Sequence, residues 1–192
     1  MDTHVHLEQL VHRMNRAYGC FMLWKFIRTS TSIPDTGKQE AERRTDIMNQ
    51  YGGIFTGILY AVENSFINDL HKFFDKSKGS LKLDTLINGL PNQNKTVVLV
   101  LIKTIEVEIK HLETLRHNFT AHEPKNPQKE NIYKEEIEKI FSVVQQILNI
   151  MSTSFDGVAM NWDTWGNNTD QYFSYLLNDL DCGYKVRNTS SF

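Results

Sequence analysis

The sequence predicts an all-α fold: an antiparallel bundle of four main helices plus a short helix, followed by an irregular C-terminal extension. Three observations carry this. Apolar residues recur at three- and four-residue steps over long stretches, which is the period of an amphipathic helix. No stretch alternates apolar and polar residues as a half-buried strand does. Only 4 prolines and 10 glycines interrupt 192 residues, leaving room for long helices with short connections. The bundle is expected over residues 1–154. The extension, packed on it with a frayed end, is expected over 155–192.

The first helix is expected from about Asp2 to Ile27, with Val5, Leu7, Leu10, Val11, Met14, Tyr18, Phe21, Met22 and Leu23 on its apolar side. Ser30 to Gly37 is a loop by composition. A second helix runs from near Lys38 to Phe74, with Tyr51-Gly52-Gly53 inside it. Paired glycines weaken a helix by roughly 1 kcal/mol each relative to alanine, so a kink or a close neighbour is expected there. Asp75 to Gly79 ends the helix. Ser80 suits an N-cap with Asp84 in the first turn, and the short helix Leu81 to Leu90 closes at Gly89-Leu90-Pro91.

Asn92 to Lys95 reads as a turn. The longest pattern follows, with Val97, Val98, Leu101, Ile102, Ile105, Ile109, Leu112, Leu115 and Phe119 on one side, reaching about Ala121. Glu123-Pro124-Lys125-Asn126-Pro127 must stop it, because the residue before a proline is pushed out of the helical region. The last main helix spans about Asn131 to Met151, with Ile132, Ile137, Ile140, Phe141, Val144, Ile147 and Leu148 inward. Phe155 to Gly166, with Trp162 and Trp165, reads as an ordered loop. Asn168 to Leu180 suits a short helix, and Cys182 to Phe192 a frayed end.

A chain of this size buries roughly 70% of its unfolded surface and needs no disulfide or metal to be stable. The net charge of -2 is far from that of a dedicated duplex-DNA binder, so any contact with nucleic acid is local. Cys20 and Cys182 are far apart and make no disulfide framework, which points to a reduced, cytoplasmic protein. In that compartment Asn94, Asn118, Asn167 and Asn188, each in an Asn-x-Ser/Thr triplet, carry no glycosylation meaning. The start, Met-Asp-Thr-His-Val-His, lacks the basic-then-apolar pattern of a signal peptide, and no apolar run is long enough to cross a membrane.

The chemistry-bearing stretch is Leu112 to Pro124, Leu-Glu-Thr-Leu-Arg-His-Asn-Phe-Thr-Ala-His-Glu-Pro. Arg116 and His122 are six positions apart, about 240° around a continuous helix, so they converge only because the helix ends there. Asn118 and His122 are four apart and share a face while the last turn stays helical. An arginine that grips phosphate, a histidine that passes a proton and an amide that orients a sugar hydroxyl suit RNA phosphodiester cleavage. There the nucleophile is the neighbouring 2′-hydroxyl and no metal-activated water is required. The plain alternative is that cations in a last turn are favoured by the helix dipole anyway, by roughly 0.3–1 kcal/mol each.

Arg116-His117-Asn118-Phe119-Thr120-Ala121-His122 resembles the signature of the HEPN superfamily: arginine, a polar residue, then histidine after a short interval. Ala121-His122 and the upstream Leu70-His71-Lys72-Phe73-Phe74-Asp75, followed by Ser80-Leu81, resemble the branch named for the U-type abortive-infection proteins of bacteria. The resemblance covers roughly Gly52 to Ser154. It implies a helical bundle, usually a homodimer, with motifs from two subunits meeting across a two-fold axis. It also implies metal-independent endoribonuclease activity, common in toxins and phage-defence proteins, on an RNA such as tRNA or mRNA. An antitoxin protein is then a further partner; no cofactor is implied. Arg116 would stabilise the phosphate and His122 would be the acid/base, with His117 and Asn118 supporting. The products would be a 2′,3′-cyclic phosphate and a 5′-hydroxyl. Some members carry a tyrosine two residues after the histidine, where a partner attaches adenylate. Here that position is Pro124, so that regulation does not transfer. Other members are non-catalytic, which keeps open a helical module that binds a partner protein or nucleotide.

Other candidates are less specific. His4, His6 and His12 suggest metal, but His4 and His6 point to different sides of a helix and no Cys or acidic cluster completes a shell, so no metal is expected. His71 and Asp75 share a face four apart. A surface pair is the default, and a contact with Arg116 the alternative. Trp162 and Trp165 suit base stacking or, more plainly, pinning a tail onto the bundle.

Overall fold

Long amphipathic stretches must bury their apolar side against one another, and the chain does so as an all-α helical bundle. The computed structural model describes residues 3–75, 83–120, 131–160 and 169–189; the side chains of 35–36, 118–120, 169–170 and 184–189 lie outside that description. The helices, in order, are α1 (Thr3–Thr29), α2 (Ile33–Thr36), α3 (Lys38–Gln50), α4 (Gly52–Phe74), α5 (Leu83–Gly89), α6 (Asn92–Thr104), α7 (Glu106–Thr120), α8 (Lys134–Asp156) and α9 (Thr169–Thr189). No strand occurs among the described residues.

The chain divides into two compact units. The first comprises residues 1–18 and 64–162, the second residues 19–63 and 163–192. In the first unit α6 and α7 both pack on α8, and α5 packs on α6. Its core takes Leu7, Leu10 and Met14 from α1, then Phe66, Ile67, Leu70 and Phe73 from α4. It adds Leu112 and Leu115 from α7, and Ile137, Ile140, Phe141, Val144, Ile147, Leu148 and Met151 from α8. These follow the three- and four-residue steps seen in the sequence. Arg16 on α1 donates from Nε and Nη2 to the two carboxylate oxygens of Asp69 on α4, at 2.8 and 2.7 Å. Gly157, at φ +69°, ends α8 in the left-handed conformation that glycine adopts without steric cost.

In the second unit α3 packs on α2 and α9. Ile27, Ile47, Phe55, Phe173 and Leu177 form its core. Phe173 meets Phe26 and Phe55 edge-on, with centroids 4.9 and 6.0 Å away. Trp24 Nε1 donates to Glu63 Oε1 at 2.7 Å, and Arg28 donates to the same oxygen at 3.0 Å. Arg43 links α3 to α9 by donating to Asp181 and Asn178 while it also holds Glu40. The Arg43 hydrogen bonds, assisted by Arg44, hold the Glu40 carboxyl at about 2.

Four sequence expectations need correction. The helix read from Lys38 to Phe74 is two helices, α3 and α4. They part at Tyr51 (φ -110°, ψ 28°), immediately before the glycine pair that weakens the helix. The long helix read to Ala121 is also two, α6 and α7, parted at Ile105 (φ -120°, ψ 20°). There Thr104 Oγ1 bonds the Leu101 carbonyl at 2.6 Å and the Ile105 N–H turns back to Ile102, so local bonds compete with the helical ladder. Asn92 to Lys95 is not a turn but the first turn of α6: Pro91 precedes it with φ -54°, and the Lys95 N–H closes on the Pro91 carbonyl at 2.9 Å. The tail is helical to Thr189, well past Leu180. In addition, the Ser30 to Gly37 loop contains α2, and α8 continues beyond Met151 to Asp156. The Ser80 cap and the Glu123 to Pro127 stop lie outside the described residues.

Candidate functional site

The candidate corner lies in the first unit, where α4 and α7 end. Leu112 and Leu115 are buried and Glu113 and His117 are exposed, while Arg116, four positions after Leu112, is half-buried with its Nε closed off from solvent. Two polar links fasten α7 to α8: His111 Nδ1 to Glu136 Oε2 at 2.5 Å, and Lys139 Nζ to Glu108 Oε1 at 2.5 Å. On α4, Leu70 and Phe73 are fully buried, and Asp69 is held by Arg16. His71 follows two positions later, so its place is set by anchors on both sides.

His71 is half-buried, and its Nδ1 is buried with no hydrogen-bond partner. Its charged neighbours are Arg116, Asp75, Glu113 and His117. Burial lowers its pKa below the ordinary value of 6.5; Arg116 and His117 push the same way, while Asp75 and Glu113 oppose them. The neutral imidazole is therefore the favoured form near pH 7. Asp75, four positions on, and Arg116 on α7 thus both act on this ring through their charge.

The structure places the predicted residues unevenly. Arg116 is half-buried on α7, and His117 is exposed one position on. Asn118 belongs to the same helix, but its side chain lies outside the described residues, as does the whole of His122. Arg116 and His117 are thus brought into one electrostatic cluster with His71, Asp75 and Glu113. His71, Asp75 and Glu113 are the members that the short motif does not contain. The only sequence signal for them was the shared face of His71 and Asp75.

Beside this cluster is a cleft of about 410 Å³ walled by Phe74, Leu83, Leu99, Ile102 and Ile109, with Asp75, Asp84, Lys103, Glu106 and Lys110 at its polar positions. Asp75 belongs to both the cleft and the cluster. Among the N-terminal histidines, His4 is exposed and pairs with Asp156, whereas His6 is 5% exposed and burial lowers its pKa. No group of three or more metal-ligating side chains occurs among the described residues. No helix among them is long and apolar enough to cross a membrane.

Comparison with the models of known protein families, with curated proteins and with solved structures gives no match.

Proposed function

We propose that this chain is a metal-independent endoribonuclease of the HEPN type. The observation that carries the reading is the electrostatic cluster at the end of α7, with Arg116 among His71 and His117 on a rigid helical support. An arginine in that position binds a phosphate through charge-assisted hydrogen bonds and offsets the charge that grows on it in the transition state. Attack by the 2′-hydroxyl then leaves a 2′,3′-cyclic phosphate on one fragment and a 5′-hydroxyl on the other. His122 is the acid/base residue of this reading, and His117 and Asn118 support it.

The substrate is RNA, with tRNA and mRNA the classes to try first. The setting is a toxin or phage-defence system in the cytoplasm, where an antitoxin protein would hold the activity in check. The working form is a homodimer. Val97 and Val100 on α6 and Val107 on α7 are exposed apolar residues, Val107 at 77%, and such surface favours a second copy. The test compares wild type with Arg116→Ala and His122→Ala on total RNA in EDTA. Cleavage by wild type with both variants at least about 100-fold slower is the expected outcome for loss of a phosphate anchor or a proton carrier. Equal cleavage by all three would reject the assigned roles.

One observation favours a second reading, a non-catalytic module that binds a nucleotide or a partner protein. The cleft joins an apolar wall containing Phe74 to Lys103 and Lys110, a combination that suits a base and its phosphate. RNA left intact by wild type at every protein concentration would favour it.

A further inference from the structure

The second reading leaves two kinds of ligand for the cleft of the first unit, a nucleotide or a partner protein. The charges around the cleft decide between them. Lys103 and Lys110 suit a phosphate, but three carboxylates, Asp75, Asp84 and Glu106, line the same cleft. A nucleotide's phosphates would meet a net negative rim, which opposes their binding. We propose that this cleft is the docking groove for an amphipathic helix of a partner protein, about three turns long, with apolar residues on its inner face and charges of both signs on its flanks. This rests on the second reading above, in its protein form, and requires no cleavage of RNA.

The shape argues for a helix. The cleft, of about 410 Å³, lies wholly within the first unit. Leu99, Ile102, Glu106 and Ile109 follow one another at steps of three and four, so one face continues from α6 into α7 past the break at Ile105. From Leu99 to Lys110 that face is about 16 Å long at the helical rise, the length of three turns. Phe74 at the end of α4 and Leu83 at the start of α5 complete the apolar lining. The Phe74 ring is held by fully buried Phe73, which meets it edge-on with centroids 5.0 Å apart. Leu99 is 49% exposed, an apolar contact left for a partner to cover. No strand edge occurs among the described residues to take an extended peptide, and the single aromatic ring among the described lining makes no proline-binding groove. Of the common ways of holding a peptide, the helix in a groove remains.

The charges of the rim are uncommitted. Asp84, Lys103, Glu106 and Lys110 make no ion pair or side-chain hydrogen bond with another described residue. Elsewhere on α7 the charged groups are engaged within the chain: Glu108 holds Lys139 and His111 holds Glu136, each at 2.5 Å. Charged groups of both signs around an apolar floor match the polar rim and apolar centre of a protein interface. Lys103 and Lys110 belong to the α6–α7 side of the groove, and Asp75 and Asp84 to the side made by the end of α4 and the start of α5. A helix with acidic residues on one flank and basic residues on the other answers both sides. Whichever flank is acidic, one of the two directions along the groove sets it beside the lysines.

The test titrates the full chain into three labelled synthetic helical peptides of about 14 residues and follows fluorescence anisotropy. All three carry leucine at i, i+3, i+7 and i+10. One has glutamate on one flank and lysine on the other, one has glutamate on both, and one has lysine on both. The mixed peptide should bind with a Kd of about 1–100 µM, and the other two at least about tenfold more weakly. Leu99→Lys should weaken the mixed peptide at least about tenfold, while Val5→Lys, at an exposed position outside the cleft, should leave it unchanged. Lys103→Glu with Lys110→Glu should weaken the mixed peptide and bind the all-lysine peptide more tightly than wild type does, a gain that misfolding cannot produce. No binding of the mixed peptide at about 1 mM protein would overturn the inference. Equal binding of all three peptides would overturn its charge argument. ATP or GTP bound by wild type and lost in the double lysine variant would overturn it and leave the second reading in its nucleotide form. A dimer in analytical ultracentrifugation that Leu99→Lys dissociates would overturn it by giving the groove to a second copy.

Discussion

Arg16→Ala is the substitution whose cost follows most directly from the structure. Asp69 is 4% exposed and accepts two charge-assisted hydrogen bonds from Arg16, at 2.7 and 2.8 Å. Truncating the arginine leaves a buried carboxylate without its counter-ion. Breaking a buried pair in this way typically costs about 3–5 kcal/mol. The Arg16 side chain is itself 58% exposed, so water enters where the guanidinium was and screens part of that loss. The expected cost is about 2–3 kcal/mol, at or just below the low end of that range after screening. In a chain of this length it lowers the thermal midpoint by roughly 5–10 °C. Urea unfolding followed by far-UV circular dichroism measures it. The double variant Arg16→Met with Asp69→Leu should recover most of the stability, because neither charge is then buried alone. A loss below about 0.5 kcal/mol in Arg16→Ala would refute the reasoning and make the pair an ordinary surface contact.

Three further outcomes follow from the packing and the charges. His71 and His6 both have pKa values lowered by burial, so the unfolded chain binds more protons than the folded one below pH 6.5. Stability is therefore full above pH 6.5 and falls as the pH drops below it, and His71→Gln should flatten part of that fall in urea midpoints taken between neutral and mildly acid pH. Gly157→Ala forces an L side chain into φ +69° with nothing within 4 Å of the new carbon, so the cost is backbone strain alone. It should amount to about 1 kcal/mol in chemical denaturation, with Gly157→Asn costing less. Phe173→Ala removes a ring that is 4% exposed and packed on Phe26 and Phe55, and should cost about 3–5 kcal/mol. Limited proteolysis should then cut α9 at protein concentrations and temperatures that leave the wild-type helix intact.

Much of the fold was legible because helix burial is periodic and local. The buried series Leu7, Leu10, Met14 on α1 and Ile137, Ile140, Val144, Ile147 on α8 can be read straight from the chain. The break at Tyr51 had a local sign in the glycine pair beside it. The break at Ile105 had none: no glycine or proline is near, and the geometry arises from the Thr104 hydroxyl and the complete burial of Ile105. The outward placement of Val97 was likewise hidden, since an apolar residue next to a core position counts toward the same pattern. The length of α9 was missed because part of its anchoring is non-local. Phe173 and Leu177 mark its apolar side, but Arg43 on a distant helix pairs with Asp181 near its far end.

The candidate site divides in the same way. Arg116 and His117 sit side by side in the sequence and announce themselves as a motif. His71 is far from them along the chain and joins their charge cluster only in the folded chain, which no spacing rule encodes. Its shared face with Asp75 was a sign of local pairing, not of the arginine whose charge also acts on it.

The central claim, RNA cleavage by the 2′-hydroxyl without metal, is tested most directly by the end groups of the cuts. Wild-type protein would be incubated with total RNA in EDTA and both ends of the fragments identified. The account predicts 2′,3′-cyclic phosphates on one side of each cut and 5′-hydroxyls on the other. Fragments ending in 3′-hydroxyl and 5′-phosphate, or cleavage only on addition of a divalent metal, would contradict it.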